Sequence, residues 1–329
     1  MKKRVNRAIE FLLARGNLPI LFWLKKDILE VPVDREHRNL QKYADRIRLL
    51  KEQRKNGSWC EKKIAGQPAL EKSNAIVETL RNLFKLYDLG CDKKDKAIPK
   101  AAEYLFSIQS KEGDFRGAYI HEYAPTYHSL ILEILCLFGF HDSAEVEKGF
   151  QWLMKNRQND GGWAIPYRTV DKKIFEERYN PGHVNNLKTN PIKMNKSKPF
   201  SHVVTGMVLR ALVASPKWRE HKETRRVGEL LLSHFFKPDN YSDKKSAAGW
   251  KDLSYPFWGT HILSGLDSLS KIGFSPENEA IQPALQWLLR RQKPQGYWEA
   301  HYKKAELEDH LWVTTAVLRM LKNFGLVEA

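Results

Sequence analysis

A short turn motif recurs along the chain and limits the folds that the chain can adopt. It reads glutamine, three residues, glycine, one residue and an aromatic residue. Its copies are QRKNGSW (Gln53–Trp59), QSKEGDF (Gln109–Phe115), QKPQGYW (Gln292–Trp298) and QNDGGW (Gln158–Trp163), the last one residue shorter. A fifth, partial copy keeps only Gly249 and Trp250. Each full copy follows an amphipathic helical pattern, so the repeats predict one helical unit used several times.

A second repeat alternates with the first. It reads leucine, two residues, an apolar residue and glycine, and it ends at Gly90, Gly139, Gly273 and Gly325. A glycine after the last apolar position of a helix is a typical C-terminal cap. The segments before these glycines, such as SLILEILCLF, are apolar around their circumference, which indicates helices buried on most sides. The repeating unit is therefore predicted to be one amphipathic and one buried helix.

These patterns predict six helices of each kind. The amphipathic helices are expected near residues 4–15, 39–53, 97–109, 145–157, 222–235 and 279–291. The buried helices are expected near residues 19–30, 73–89, 126–138, 202–214, 258–272 and 309–324. The last helix is as apolar as the middle ones, which favours a closed ring over an open solenoid with polar end repeats. We predict an all-α fold, an (α/α)6 toroid of six inner and six outer helices around a central cavity, as a single domain over residues 1–329.

Composition and charge narrow the partners. The chain has 329 residues, of which 42% are hydrophobic, and a formal net charge of +16. A basic surface attracts a diphosphate, an acidic polysaccharide or an anionic membrane surface. The alternative is a lysine-rich surface that is only solvated and binds no anionic partner. No nucleic-acid-binding motif occurs, so we expect no nucleic acid partner. An odd number of cysteines (Cys60, Cys91, Cys136) and a charged N-terminal segment indicate a cytoplasmic location.

The turns resemble those of the terpenoid cyclase and protein prenyltransferase superfamily, which has a squalene cyclase-like α/α toroid. Two stretches are similar to the protein prenyltransferase β-subunit in detail. HEYAPTYHSL (His121–Leu130) resembles His-x-x-Ala-Pro-Thr-Tyr, and DLSYPFW (Asp252–Trp258) resembles Asp-x-Cys-Tyr-x-Phe-Trp. The resemblance implies the toroid fold and an isoprenoid ligand.

The chain departs from that family at the residues that would bind zinc. The resemblance implies that the second motif supplies an aspartate and a cysteine, and that the last inner helix supplies a histidine. Asp252 matches the aspartate, but Ser254 replaces the thiolate and Trp312 the histidine. A serine hydroxyl is a poor zinc ligand and tryptophan is none. The cyclase motifs Asp-x-Asp-Asp and Asp-Asp-x-x-Asp are absent, and we expect neither a metal nor another cofactor.

In a toroid, the segments that enter the inner helices surround one mouth of the cavity. Histidines and acids there suit acid–base chemistry near neutral pH, and the catalytic candidates are Asp252, His128, His202, His261, Asp309 and His310. The candidate ligand-binding residues are Arg116, Tyr119, His121, Tyr127, Tyr255, Trp258 and Trp312. Each residue alone is also explained by helix capping or core packing, so the hypothesis depends on their convergence. A basic insertion over residues 167–201 is expected to be either a lid over the same mouth or a solvated loop.

Three functions fit these features. The first is a terpenoid cyclase- or prenyltransferase-like enzyme that binds an isoprenoid or other apolar ligand, with or without a diphosphate, and uses Asp252 or Asp309 as an acid. The second is a non-catalytic toroid that binds a lipid or a protein. The third, ranked lower, is an enzyme like the uronate lyases that cleave acidic polysaccharides. The sequence leaves the substrate and the oligomeric state open.

Overall fold

A computed structural model describes residues 1–59, 66–171, 173–174, 190–241 and 246–327. This part of the chain is helical and contains no β-strand, apart from one isolated bridge between Gln109 and Phe115. The predicted all-α class is confirmed. None of the described helices is both long enough and apolar enough to traverse a bilayer. Cys60 lies outside the described residues.

Fourteen α-helices are described. They are α1 (Lys2–Arg15), α2 (Leu18–Trp23), α3 (Asp34–Leu40), α4 (Ala44–Lys51), α5 (Pro68–Asp88), α6 (Ala97–Ser107), α7 (Pro125–Leu137), α8 (Ala144–Lys155), α9 (His202–Ala214), α10 (Pro216–Arg219), α11 (Lys222–Leu232), α12 (Ile262–Lys271), α13 (Gln282–Arg290) and α14 (Leu307–Asn323). A π-helical turn continues α2 over Leu24–Ile28, and 3-10 turns cover Pro166–Arg168 and Ala247–Lys251. The predicted helices recur at nearly all expected places. One exception is the helix predicted over residues 39–53, which overlaps the two short helices α3 and α4. The other is α12, which begins at Ile262 and not at residue 258, because the His261 side chain caps it.

The chain divides into two compact units. The first combines Met1–Arg46 with Arg219–Ala329, and the second is Ile47–Trp218. The predicted single domain and closed ring stay predictions.

Of the helices predicted to be buried, α7, α9 and α12 are buried on most of their circumference, whereas α5 has seven buried residues of 21. In the second unit α7 packs against α9, and in the first unit α12 packs against α14. Between α7 and α9 the buried Arg210 guanidinium pairs with Glu133, with Nε 3.1 Å from Oε2. A buried charge is tolerated only when it is paired in this way.

The glutamine of the turn motif joins two segments. The Gln53 side-chain amide donates to the carbonyl of Gly57 in its own turn (3.0 Å) and to the carbonyl of Ala97, the first residue of α6 (2.8 Å). Gly57 has φ +91°, and a Cβ there would lie 2.2 Å from the Lys100 carbonyl oxygen, one helical turn further along α6. We call this arrangement the Gln–Gly clamp, because the amide and the glycine, which has no side chain, together hold the next amphipathic helix against the turn.

Two other turns repeat the clamp with the same spacing. Gln109 donates to Gly113 and to Glu145 of α8, and Gln292 donates to Gly296 and to Arg4 of α1. A Cβ on the two glycines would meet the carbonyl oxygens of Lys148 and Arg7, again three residues further along the held helix. Helix α1 is therefore held by the last turn of the chain in the way that α6 and α8 are held by the turns before them.

The aromatic residue of the motif ties the turn to two further helices. The Trp59 indole donates to the Leu49 carbonyl of α4 (2.7 Å), and its backbone N–H donates to Thr79 Oγ1 of α5 (3.1 Å). The same pair of bonds joins Trp163 to Leu153 and Thr205, and Trp298 to Leu288 and Thr314. In the partial copy the Trp250 indole donates to the Lys237 carbonyl instead.

The fourth turn corrects the sequence alignment. Gly161 donates to the carbonyl of Gln158, as Gly57 does to the carbonyl of Arg54. Arg157 therefore occupies the place of the glutamine, and the expectation of a turn one residue shorter is wrong. The displaced Gln158 amide donates to the carbonyls of Asn195 (3.0 Å) and Lys198 (2.8 Å) instead.

The described end of the basic insertion is fixed to the second unit. Besides the Gln158 bonds, the backbone N–H of Ile192 donates to Glu122 (2.8 Å) and that of Phe200 to Asp160 (2.8 Å). Residues 172 and 175–189 of the insertion lie outside the described residues, and its role as a lid stays a prediction.

The clamp makes a testable distinction between two glycines of similar backbone conformation. Gly57 (φ +91°) abuts α6, whereas a Cβ on Gly161 (φ +95°) would meet no described atom within 4 Å. Gly161→Ala should cost only the left-handed backbone strain, about 1–2 kcal/mol. Gly57→Ala should add a steric term of about 1–3 kcal/mol. Urea unfolding of both variants measures the difference; equal losses would show that the glycine is not needed for close approach.

Candidate functional site

The predicted site residues fall in both units, and each group is described within its own unit. In the first unit, the segment between the second 3-10 turn and α12 carries the DLSYPFW motif. The Asp252 carboxylate lies 3.3 Å from the His301 imidazole, Oδ1 to Nε2, and the backbone N–H of His301 donates to the Leu253 carbonyl (2.7 Å). Both side chains of this pair reach solvent, so Asp252 and His301 form an accessible acid–imidazole pair.

Ser254, at the position of the missing thiolate, is hydrogen-bonded to protein. Its hydroxyl lies 3.2 Å from His261 Nε2. The other ring nitrogen of His261 accepts the backbone N–H of Ser264 and caps α12. Because Nδ1 accepts, we assign the ring proton to Nε2, which donates to Ser254.

Three aromatic rings form a half-buried surface next to Ser254 and His261. Tyr255 stacks on Trp312 of α14, with ring centroids 5.3 Å apart and an interplanar angle of 14°. Phe257 meets Tyr255 edge-on at 5.4 Å and also meets the His261 ring at 5.4 Å. We call Tyr255, Phe257 and Trp312 the aromatic wall. Trp258, the next residue, is also half-buried.

Sequence reasoning missed Tyr302 and His301, which follow the last Gln–Gly turn. The Tyr302 hydroxyl donates to the Tyr255 carbonyl (2.8 Å) and accepts the Tyr255 N–H (3.1 Å). Burial raises the pKa of the Tyr302 phenol, so the hydroxyl keeps its proton at neutral pH. Both residues lie outside every motif, and only their distance of three and four residues from Trp298 could have indicated them.

The two polar candidates at the start of α14 have structural partners. Asp309 Oδ2 accepts the backbone N–H of Glu306 (2.9 Å) in a capping box. His310 Nδ1 accepts the N–H of Ala300 (3.1 Å), and its ring stacks on Tyr297. These contacts favour capping and positioning roles for Asp309 and His310.

The residues at the zinc positions of the resembled family do not fit a zinc ion. Asp252 pairs with His301, Ser254 bonds to His261, and Trp312 stacks on Tyr255. Across the described ranges, no group of three or more His, Cys, Asp and Glu side chains could hold a metal ion. That the protein uses no metal stays a prediction.

In the second unit, His128 of α7 is a core residue. Its Nδ1 accepts the backbone N–H of Phe115 (3.0 Å), which is the bond that a threonine makes in the other turns. Its Nε2 lies 3.0 Å from the Gly149 carbonyl of α8 and donates to it. Burial lowers the pKa of His128 to about 4. The contacts favour a structural role for this predicted catalytic residue.

Arg116 is committed to neighbouring acids. Its guanidinium makes two hydrogen bonds of 2.9 Å to the buried Asp114 carboxylate and covers the Tyr123 ring at 4.5 Å. Burial disfavours the charged form, but hydrogen bonding to Asp114 outweighs it, and the pKa of Arg116 is raised. These contacts favour a structural role for Arg116 beside the Gln109 turn over a role in binding a ligand.

The remaining candidates lie in the segment before α7 and at the start of α9. Tyr119 contacts Tyr127 edge-on at 5.2 Å, and burial raises the pKa of Tyr127. The His121 imidazole lies 3.2 Å from the Glu122 carboxylate, which also accepts the backbone N–H of Ile192. His202 is buried in the first turn of α9. Of these candidates, Tyr119 and Tyr127 present half-buried aromatic surface, and Tyr167 meets Tyr119 edge-on at 5.9 Å.

No protein-family model matches the chain. Among solved structures, the chain is similar to a protein from Actinoplanes, at 15% identity over 98% of this chain and 99% of the other, with a TM-score of 0.46. It is also similar to a variant of the type II terpene cyclase MstE from Scytonema in complex with geranylgeranyl dihydroxybenzoate, at 11% identity over 98% and 97% of the two chains, with a TM-score of 0.47.

The buried histidine predicts a pH dependence of stability. The folded-state pKa of His128, about 4, lies below the ordinary value of 6.5, so unfolding takes up a proton between these values. The contribution of His128 to the free energy of unfolding is complete above pH 6.5 and is lost as the pH falls toward 4. The expected loss between pH 7 and pH 5 is about 2 kcal/mol.

His128→Thr supplies the residue that accepts the same N–H in the other turns and should remove this part of the pH dependence. Urea unfolding of both proteins at pH 7 and pH 5 measures the difference. Parallel losses in the two proteins would mean that His128 does not titrate on unfolding.

Proposed function

We propose that the chain is a terpenoid cyclase- or prenyltransferase-like protein that binds an isoprenoid or other apolar ligand against the aromatic wall and acts on it without a zinc ion. The observation that supports this most strongly is the stack of Tyr255 on Trp312. It places aromatic surface at the two segments that carry zinc ligands in the resembled family. Both rings are half-buried, so part of their area remains for a ligand.

The chemistry of an aromatic wall suits an isoprenoid chain. Transferring apolar ligand surface from water to aromatic rings is favourable by roughly 25 cal/mol per Å². Ring faces also attract positive charge, so the same surface would stabilise a carbocation formed on a bound polyene. A wall of Tyr, Phe and Trp therefore supports both binding and conversion.

Asp252 is the acid that we propose for this conversion. Asp309 is held in the cap of α14, whereas the Asp252 carboxylate reaches solvent beside His301. The His301 imidazole lies 3.3 Å from the Asp252 carboxylate, so it can return a proton to Asp252 and hold its charged form. A bound double bond near Asp252 would take the proton and become a carbocation, which would then lose a proton to the carboxylate or to water to give the product.

Binding and turnover test the proposal separately. The protein is incubated with geranylgeraniol and with geranylgeranyl diphosphate, binding is measured by calorimetry, and products are sought by mass analysis. Trp312→Leu should weaken binding about tenfold, because it removes one ring of the wall. Trp287→Leu is the matched control, since Trp287 is also half-buried but lies on α13, where it contacts Phe236.

Three results separate the functions. Product from the wild type that Asp252→Asn abolishes supports the enzyme. Tight binding without product supports the non-catalytic lipid-binding protein, which is favoured by the structural partners of His128, Asp309 and His310. Neither binding nor product with any prenyl chain length would refute the proposal.

The acidic-polysaccharide lyase is the weaker alternative. Such an enzyme needs a cation to hold the substrate carboxylate, and the Arg116 guanidinium is already bound by Asp114 in two hydrogen bonds. Arg116, the cation that this hypothesis would use, is therefore not available to a substrate.

A further inference from the structure

We propose that Tyr302 is a positioning residue, which fixes the backbone of Tyr255 so that its ring stacks on Trp312. The consequence for ligand binding rests on the function proposed above. The effect on the stack itself does not, and it can be measured without a ligand.

The Tyr302 hydroxyl makes two hydrogen bonds to the backbone of one residue. It donates to the Tyr255 carbonyl (2.8 Å) and accepts the N–H of the same residue (3.1 Å). A phenol has one proton to donate, and here that proton is used on the Tyr255 backbone. The hydroxyl is therefore placed to hold this segment.

Ser254, the residue before Tyr255, is held separately. Its hydroxyl lies 3.2 Å from Nε2 of His261, the residue that caps α12. Two consecutive residues are therefore fixed, Ser254 through its side chain and Tyr255 through its backbone. The Tyr302 hydroxyl donates to a peptide carbonyl, which cannot pass a proton on, so this contact fixes geometry and does not relay protons.

The same segment carries the aromatic wall. Phe257 contacts the His261 ring at 5.4 Å, and Tyr255 stacks on Trp312. Ser254 and Trp312 stand at two zinc-ligand positions of the resembled family. Tyr302 holds Tyr255, which follows the first of these positions in the chain and stacks on the second.

The first test uses the protein without ligand. Trp312→Phe isolates, by difference, the contribution of Trp312 to the fluorescence and to its quenching by acrylamide. In a Tyr302→Phe background this contribution should be quenched about twofold more strongly, because loss of the hydroxyl frees Tyr255 and exposes Trp312. Tyr123→Phe is the control, since the Tyr123 hydroxyl donates to Glu112 in the other unit.

The second test adds geranylgeraniol. Tyr302→Phe should raise its Kd about tenfold, and the double variant with Trp312→Leu should lose little more than either single variant, because both act on the same stack. A residue that only contributed stability would lower Tm and leave Kd of the folded protein unchanged.

The outcomes distinguish this inference from the proposed function. Unchanged quenching of Trp312 in Tyr302→Phe overturns the positioning role, whatever the ligand result. Stronger quenching together with no binding by the wild type supports the positioning role and refutes the proposed function. Equal Kd values for the wild type and Tyr302→Phe contradict the inference and leave the proposed function intact.

Discussion

The side-chain amide of the turn glutamine is the interaction on which the described helices depend most. In three of the four turns the amide bonds both to its own turn and to the first residues of the next amphipathic helix, and the glycine of the turn lets that helix approach to contact distance. The helices held in this way have 11 to 14 residues, which is marginal for a helix alone in water. These bonds and the burial of its apolar face fix the place of each helix.

The last clamp also organises the candidate site. The Trp298 N–H donates to Thr314 of α14, and the Ala300 N–H donates to His310 one turn earlier on the same helix. These two bonds align residues 298–300 with the helix that carries Trp312. His301 and Tyr302 come next in the chain, so the turn that holds α1 also delivers the partners of Asp252 and Tyr255. Fold and site share one piece of backbone.

The sequence alone predicted the helices well, because periodic apolar residues and capping glycines are local signals. It located the DLSYPFW segment beside the last inner helix by resemblance, and the structure places Tyr255 on Trp312. The roles of single polar residues were less predictable. His128 and Asp309 looked like acid–base candidates, but backbone N–H groups occupy them. Which polar atoms the backbone uses depends on three-dimensional approach, and residue spacing does not encode it.

The turn at Gln158 is a second case in which residue spacing was misleading. The sequence pattern aligned Gln158 with the other turn glutamines, whereas the backbone hydrogen bonds place Arg157 at that position. The Gln158 amide bonds to Asn195 of the insertion instead. Tyr302 carried no pattern at all. A single tyrosine outside the repeats becomes informative only when its hydroxyl is seen on the Tyr255 backbone.

The central claim is that the clamp glutamine holds the next amphipathic helix, and that the Gln292 turn holds α1 in the same way. Hydrogen exchange of the α1 and α6 amides tests it most directly, in the wild type and in the variants Gln292→Ala and Gln53→Ala. The account predicts that Gln292→Ala accelerates exchange in α1 and leaves α6 unchanged, whereas Gln53→Ala does the reverse. Unchanged exchange of α1 in Gln292→Ala, or equal acceleration of both helices in either variant, would contradict it.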